Sequence, residues 1–275
     1  MTAASVLRIE PRRSWASPRF RELWDYRELL YFFVWRDVKV RYKQTALGAA
    51  WALLQPFFSM VVFTIFLGRL AKLPSDGIPY PIFTYTALAP WMFFSNGVAF
   101  SSNCLVGSAN MLKKVYFPRL ILPAATVVAG LVDLAISMLL LLALMLYYGV
   151  APKMNMVWLP VFVLLALTVA LGCGLWLAAL NVYYRDVRYA VPFLMQIWLF
   201  ATPVVYPSSL IREPWRTLYG LNPMTGVVEG FRWAALGIGK PQVPMTLVSA
   251  AVAALILFGG ILYFRHRERS FADVV

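Results

Sequence analysis

"LILPAATVVAGLVDLAISMLLLLALMLYY", residues 120–148, carries a single charged side chain, Asp133. An α-helix needs about 20 predominantly apolar residues to cross a hydrocarbon layer roughly 30 Å thick. This run exceeds that length and reads as a membrane-spanning helix. Runs of similar character recur near 48–68, 82–103, 157–181, 189–206 and 244–264. The expected fold class is therefore an all-α integral membrane protein with six transmembrane helices. The run at 82–103 is the weakest, because Pro90, Asn96 and several serines interrupt it. A spanning helix tolerates such groups only where neighbouring helices satisfy them, so this one is expected to face protein or a water-filled path.

Composition supports the class. Of 275 residues, 61% are hydrophobic and 13% charged, about half the charged share of an average soluble domain. The net charge of +13 would also suit nucleic acid, but in so apolar a chain the basic residues read as topology signals and contacts to anionic lipid. Cys104 and Cys173 lie in or beside apolar runs, without metal or disulfide spacing, and read as two buried thiols. The first 47 residues hold ten Lys/Arg and five acids. No early apolar stretch with a small-residue cleavage site follows, so no removable signal peptide is expected and the first span serves as an uncleaved anchor.

Loop charge sets the expected orientation. Residues 1–47, 104–119, 182–188 and the tail after 264 together hold 18 Lys/Arg, against 7 in the alternate loops. The positive-inside rule then places both termini in the cytoplasm, in a multi-pass protein of the cytoplasmic membrane. The expected segments are an N-terminal tail at 1–19, an amphipathic interface helix at 20–47, a transmembrane domain at 48–264 and a tail at 265–275.

In "FRELWDYRELLYFFVWRDVKVRYK" (20–43), Arg21, Asp25, Glu28, Arg36, Lys39 and Lys43 fall on one stripe at 100° per residue, with Leu23, Tyr26, Leu30, Phe33 and Val34 opposite. Such a helix lies in the membrane interface with its charges toward headgroups; the plainer alternative is a soluble helix packed on a domain. Between the last two runs, 207–243 is long and apolar for an external loop, and its Pro and Gly divide it into two short helical pieces, read as re-entrant or interfacial. Glu229 and Arg232, at i and i+3, can pair there.

Catalytic material is scarce. The one histidine, His266, stands among tail arginines. No GxxxxGK[ST] phosphate loop, HExxH or GxSxG motif is present, so this chain is not expected to hydrolyse ATP. Asp133, an acid inside a span, is either functional or tied to a neighbouring polar group. Most aromatics suit interfacial anchoring. Tyr85, Trp91, Phe93, Phe94 and Phe100, with Tyr183 and Tyr184, also suit flat contacts along a wet path for sugar rings.

Four stretches carry a pattern beyond composition: "WRDVKVRYKQTALGAAWALLQP" (35–56), "LKKVYFPRLILP" (112–123), "LNVYYRDVRYAVPFLMQIWLFATPVVYP" (180–207) and "LNPMTGVVEGFRWAAL" (221–236). In this order they resemble the permease subunit of ABC-2 type polysaccharide exporters, which carry lipid-linked O-antigen, teichoic acid and related glycans. The resemblance implies a homodimer joined to two copies of a separate ATP-binding cassette ATPase, which uses ATP and Mg, with no cofactor in this chain. It implies a polyprenyl-pyrophosphate-linked glycan as cargo, threaded outward through a channel between the permeases.

By the same resemblance the loop 104–119 is the ATPase-coupling element. Its Leu105, Met111, Leu112, Val115 and Phe117 are candidates for insertion into the partner beside Lys113, Lys114 and Arg119. Arg36, Lys39, Arg41, Lys43, Arg185 and Arg188 are candidates for the lipid headgroup, with Arg185, Asp186 and Arg188 equally readable as a topology-fixing loop. Glu229 and Arg232 fall on the outer re-entrant helices, which would shape the exit. The nearest alternative within the family is export of a different lipid or drug. An integral membrane transferase would need clustered carboxylates or a histidine at the membrane face, and a scaffold or ion channel would work without an ATPase.

Overall fold

In hydrocarbon every backbone N–H and C=O must be satisfied within the chain, which an α-helix does by itself. The computed structural model describes residues 24–43, 50–115, 117–237, 241–268 and 270–271, and these fold as helices and connections without a strand. In order they are α1 (Arg27–Lys43), α2 (Ala50–Phe63) continuing into a π-helical segment (Thr64–Leu70), α3 (Tyr80–Gly107), α4 (Ala109–Lys114), α5 (Ile121–Tyr147), α6 (Leu159–Tyr183) after a 3-10 turn (Met154–Trp158), α7 (Val187–Phe200), α8 (Trp215–Leu218), α9 (Pro223–Leu236) and α10 (Val243–Glu268). The expected tail at 1–19, Arg21 and Leu23 of the stripe, and most of the 41–48 junction lie outside the described residues.

Four helices among the described residues are long and apolar enough to cross a membrane: Ala50–Leu70, Ile121–Tyr147, Met154–Tyr183 and Val243–Glu268. The other two expected runs differ in kind. The run at 82–103 lies in α3, whose 28 residues reach about 42 Å at 1.5 Å per residue, but whose Thr, Ser and Asn side chains keep it out of that group. The run at 189–206 lies in α7, apolar but only 14 residues long. The last helix runs past the expected boundary, so Arg265, His266 and Arg267 form its final turn, where positive charge suits the helix dipole.

α3 is the axis of the bundle. Ile82, Phe83, Tyr85, Leu88, Phe94 and Val98 along it are all buried, packed by α5, α6 and α9, which explains why this helix needs no lipid-compatible surface. α6 and α10 meet closely because the chain places glycine at the crossing: a Cβ on Gly172 would lie 2.8 Å from the Leu257 backbone N, and one on Gly260 2.8 Å from the Gly172 carbonyl O. Small residues let helix backbones approach where the hydrophobic effect does not drive association. Trp176 stacks on Tyr263 beside this crossing, with centroids 4.6 Å apart.

Among the described residues of 207–243, one helix is longer than a single turn. Asn222 caps α9 by accepting from Met224 N at 3.1 Å, Pro223 occupies the first turn, and Gly237 closes it at φ 65°, a left-handed position that favours glycine. The other expected piece is reduced to the single turn of α8, flanked by 3-10 turns. α9 is buried against α10, where a Cβ on Gly226 would meet Ser249 Cβ at 2.6 Å.

Candidate functional site

α1 does not lie with all its charges turned outward. Its Asp37, Arg41 and Tyr42 face α5, while its Tyr31, Phe32 and Trp35 are exposed. The reason is Asp133 on α5. Arg41 Nη1 donates to Asp133 Oδ2 and Tyr42 Oη donates to Asp133 Oδ1, so an acid at membrane depth receives a cation and a hydroxyl from one turn of α1. One step along α1, Arg36 donates to Asp37 Oδ1 through Nε at 3.0 Å and Nη2 at 2.8 Å. Thr126 Oγ1 donates to Asp37 Oδ2 at 3.1 Å. Burial first, and the hydrogen bond to Asp133 second, push the Tyr42 hydroxyl above the ordinary phenol range, so it remains a neutral donor.

Arg41, Tyr42, Thr126 and Asp133 border a cleft of about 210 Å³ between α1, α2, α3 and α5, on the side of the bundle toward the 108–120 connection. Arg41, Tyr42, Gln55, Asn96, Thr126 and Asp133 supply its polar lining, and Trp51, Pro56, Met92, Phe93, Phe100 and Leu134 its apolar walls. The Arg41 guanidinium also lies 5.0 Å from the Phe100 ring centroid. The two charged residues of the lining, Arg41 and Asp133, pair with one another, so the lining is close to neutral.

The headgroup candidates therefore divide. Arg36 and Arg41 are committed to ion pairs within the chain. Lys39 Nζ sits 4.1 Å from the Trp35 ring centroid, Lys43, Arg185 and Arg188 are exposed, and Arg188 lies over Tyr189 at 4.5 Å. Asp186 between them is exposed as well.

The aromatic candidates divide too. Tyr85, Trp91, Phe93 and Phe94 are 0–4% exposed, packed among the helices of this chain. The reason is that α3 is surrounded by other helices. Tyr85 donates to the Ser137 carbonyl at 3.0 Å, and Phe94 packs edge-on to Trp198 at 5.1 Å. Tyr183 pairs with Ser270 and lies edge-on to Phe271. Phe93 also borders the cleft, and Phe100 and Tyr184 are the exposed members.

The 104–119 connection is likewise more inward-facing than expected. Helix α3 carries Leu105 on its last turns and only Ala109–Lys114 forms a separate helix. Leu105, Leu112 and Phe117 are buried in a cluster with Phe33, Ile121, Val182, Phe264 and Phe271, and Met111 packs against it. Phe117 meets Phe33 edge-on at 5.6 Å. Leu105, Leu112 and Phe117 hold the connection to its own chain. Lys113, Lys114 and Val115 are exposed. Arg119 is anchored: its N–H donates to Glu268 Oε1 at 2.8 Å and its guanidinium to the Glu268 carbonyl.

At the opposite end Glu229 and Arg232 pair at 2.9 Å, as their spacing predicts. Arg232 is 3% exposed; it also donates to the Phe83, Tyr206 and Val204 carbonyls and lies 3.7 Å from the Phe83 ring centroid. This guanidinium binds α3, α9 and the 201–207 connection together. Asp37, Tyr42, Gln55 and Thr126 escaped the sequence reading. Gln55, a lone amide inside an apolar run and next to Pro56, was the one visible clue.

The chain matches the ABC-2 type transporter family over residues 28–236. It is 34% identical over 258 residues to the O-antigen export system permease protein RfbA of Myxococcus xanthus, covering 93% of this chain and 98% of that protein. It is 26% identical over 253 residues to the protein of the same name from Klebsiella pneumoniae, with 90% and 95% covered. It is 24% identical over 241 residues to the polysialic acid transport protein KpsM of Escherichia coli, with 86% and 92% covered. With an all-helical frame, several spanning helices and a family match across most of its length, this chain belongs to the ABC-2 type transporter membrane family.

Proposed function

We propose that the chain is the permease subunit of an ATP-driven exporter that moves a polyprenyl-pyrophosphate-linked polysaccharide, such as an O-antigen, out across the cytoplasmic membrane. The observation that carries this reading is likeness along nearly the whole chain to permeases named for O-antigen export. In this reading two copies pair to form the path and each joins an ATP-binding cassette ATPase. The sequence itself holds no phosphate loop to bind ATP. α3 and α7 complete six crossings with both termini cytoplasmic, and α8 and α9 form the outer re-entrant region. The exposed Lys113, Lys114 and Val115 meet the ATPase, and the exposed cations Lys43, Arg185 and Arg188 attract the pyrophosphate, each contributing about 1 kcal/mol near an anionic surface.

The test is deletion of this gene with glycan synthesis left intact. The expected result is loss of surface glycan and accumulation of the polyprenyl-linked polymer inside the cell. Continued display of the glycan, or loss of export of an unrelated lipid or drug with glycan unaffected, would overturn the reading.

A further inference from the structure

We propose that the cleft between α1, α2, α3 and α5 is a binding subsite for one neutral sugar ring of the cargo, an assignment that rests on the glycan-export reading above. Size is the first argument. At about 210 Å³ the cleft is below the roughly 300–1,000 Å³ of pockets that enclose drug-sized ligands, and suits one ring rather than an oligosaccharide.

The second argument is the pairing of walls and polar groups. Trp51 is 54% exposed beside the cleft and offers a flat apolar face to the C–H face of a ring, while the Phe100 ring is already occupied by the Arg41 guanidinium. Gln55 and Asn96 line the same space, and neither amide has a hydrogen-bond partner among the described residues. A primary amide presents two donors and an acceptor side by side, which complements hydroxyls that donate and accept in turn.

The third argument is charge. A phosphate entering this cleft would find its one cation, Arg41, already matched by Asp133, so its charge would go uncompensated at a partly buried site. An alkyl chain would bury the two amides without partners. A neutral polyol incurs neither penalty. Headgroup charge is thereby separated from ring recognition: exposed cations take the first and this cleft the second.

The experiment uses the full-length chain in lipid nanodiscs prepared without glycosidic detergent. Saturation-transfer NMR is run with methyl hexopyranosides, and with methyl phosphate and octanol as comparison probes. Transfer to ring protons of at least one methyl hexopyranoside is expected. The Gln55→Ala/Asn96→Ala double variant should weaken it about tenfold, from the loss of two neutral hydrogen-bonding groups. Trp51→Ala should weaken it as well, while Trp51→Phe, which keeps a flat ring, should restore most of it. Absence of transfer to every methyl hexopyranoside, preference for methyl phosphate or octanol, or unchanged binding in a folded double variant would overturn the subsite. The exporter reading is judged separately by the surface glycan of the deletion strain: glycoside binding with undiminished export would sink the exporter and leave the site.

Discussion

Replacing Asp133 by alanine removes the shared acceptor of Arg41 and Tyr42, and its cost follows from the geometry. Two hydrogen bonds to a charged carboxylate are lost, worth about 1.5–3 kcal/mol each in a buried setting. The Arg41 and Asp133 side chains are 24% and 22% exposed, so water reaches the orphaned guanidinium and the 3–5 kcal/mol typical of a broken, fully buried pair is not attained. The expected destabilisation is about 2–3 kcal/mol, or roughly 5–10 °C in unfolding midpoint. Arg41→Ala strands the carboxylate and should cost a similar amount. The double variant strands neither charge and should cost no more than the worse single one, giving a coupling of about 2 kcal/mol. A thiol-reactive dye suits the assay, because Cys104 and Cys173 are free and no more than partly exposed. If the double variant loses the sum of the two single losses within about 0.5 kcal/mol, the two side chains do not act as a pair and the docking of α1 on α5 has been misread.

Phe117→Asp should lower yield of folded protein, because Phe117 is 5% exposed and packed on Phe33. Lys113→Glu/Lys114→Glu should fold normally, checked by size-exclusion profile, and lose export through the partner ATPase. Gly172→Ala should cost about 1–3 kcal/mol by overpacking against the Leu257 backbone, whereas Gly97→Ala, whose Cβ would meet its nearest neighbours at 3.7 Å, should be close to neutral; thermal unfolding of the pair checks this. Arg232→Met strands Glu229 and the Phe83 and Val204 carbonyls and should cost about 3–5 kcal/mol. Adding Glu229→Gln should recover part of that loss in the same measurement.

Helices were the legible layer because a spanning segment announces itself by length and apolarity alone: 120–148 and Ile121–Tyr147 differ by one residue at each end. Burial was not legible in the same way. The aromatic content of α3 could not say whether those rings meet lipid, cargo or other helices, since that depends on residues from α5, α6 and α9 far along the chain. The same limit explains α1. A 100° projection separates one helix into faces, but the partner that draws Arg41 inward is Asp133, 92 residues away. The Glu229–Arg232 pair was readable because both partners lie on one helix, whereas the carbonyls that complete the Arg232 shell come from two other segments.

α10 extends the reach of these local contacts. Its 26 residues form a rod about 39 Å long at 1.5 Å per residue, gripped at both ends: Glu268 by Arg119 of the basic connection, and Ser249, near the other end, by Gly226 N of α9 at 3.1 Å. Midway, the glycine crossing with α6 acts as a collar. A rod held in this way ties the 108–120 connection to α9 through one continuous helix, so the contacts at Glu268 and Ser249 belong to a single rigid element.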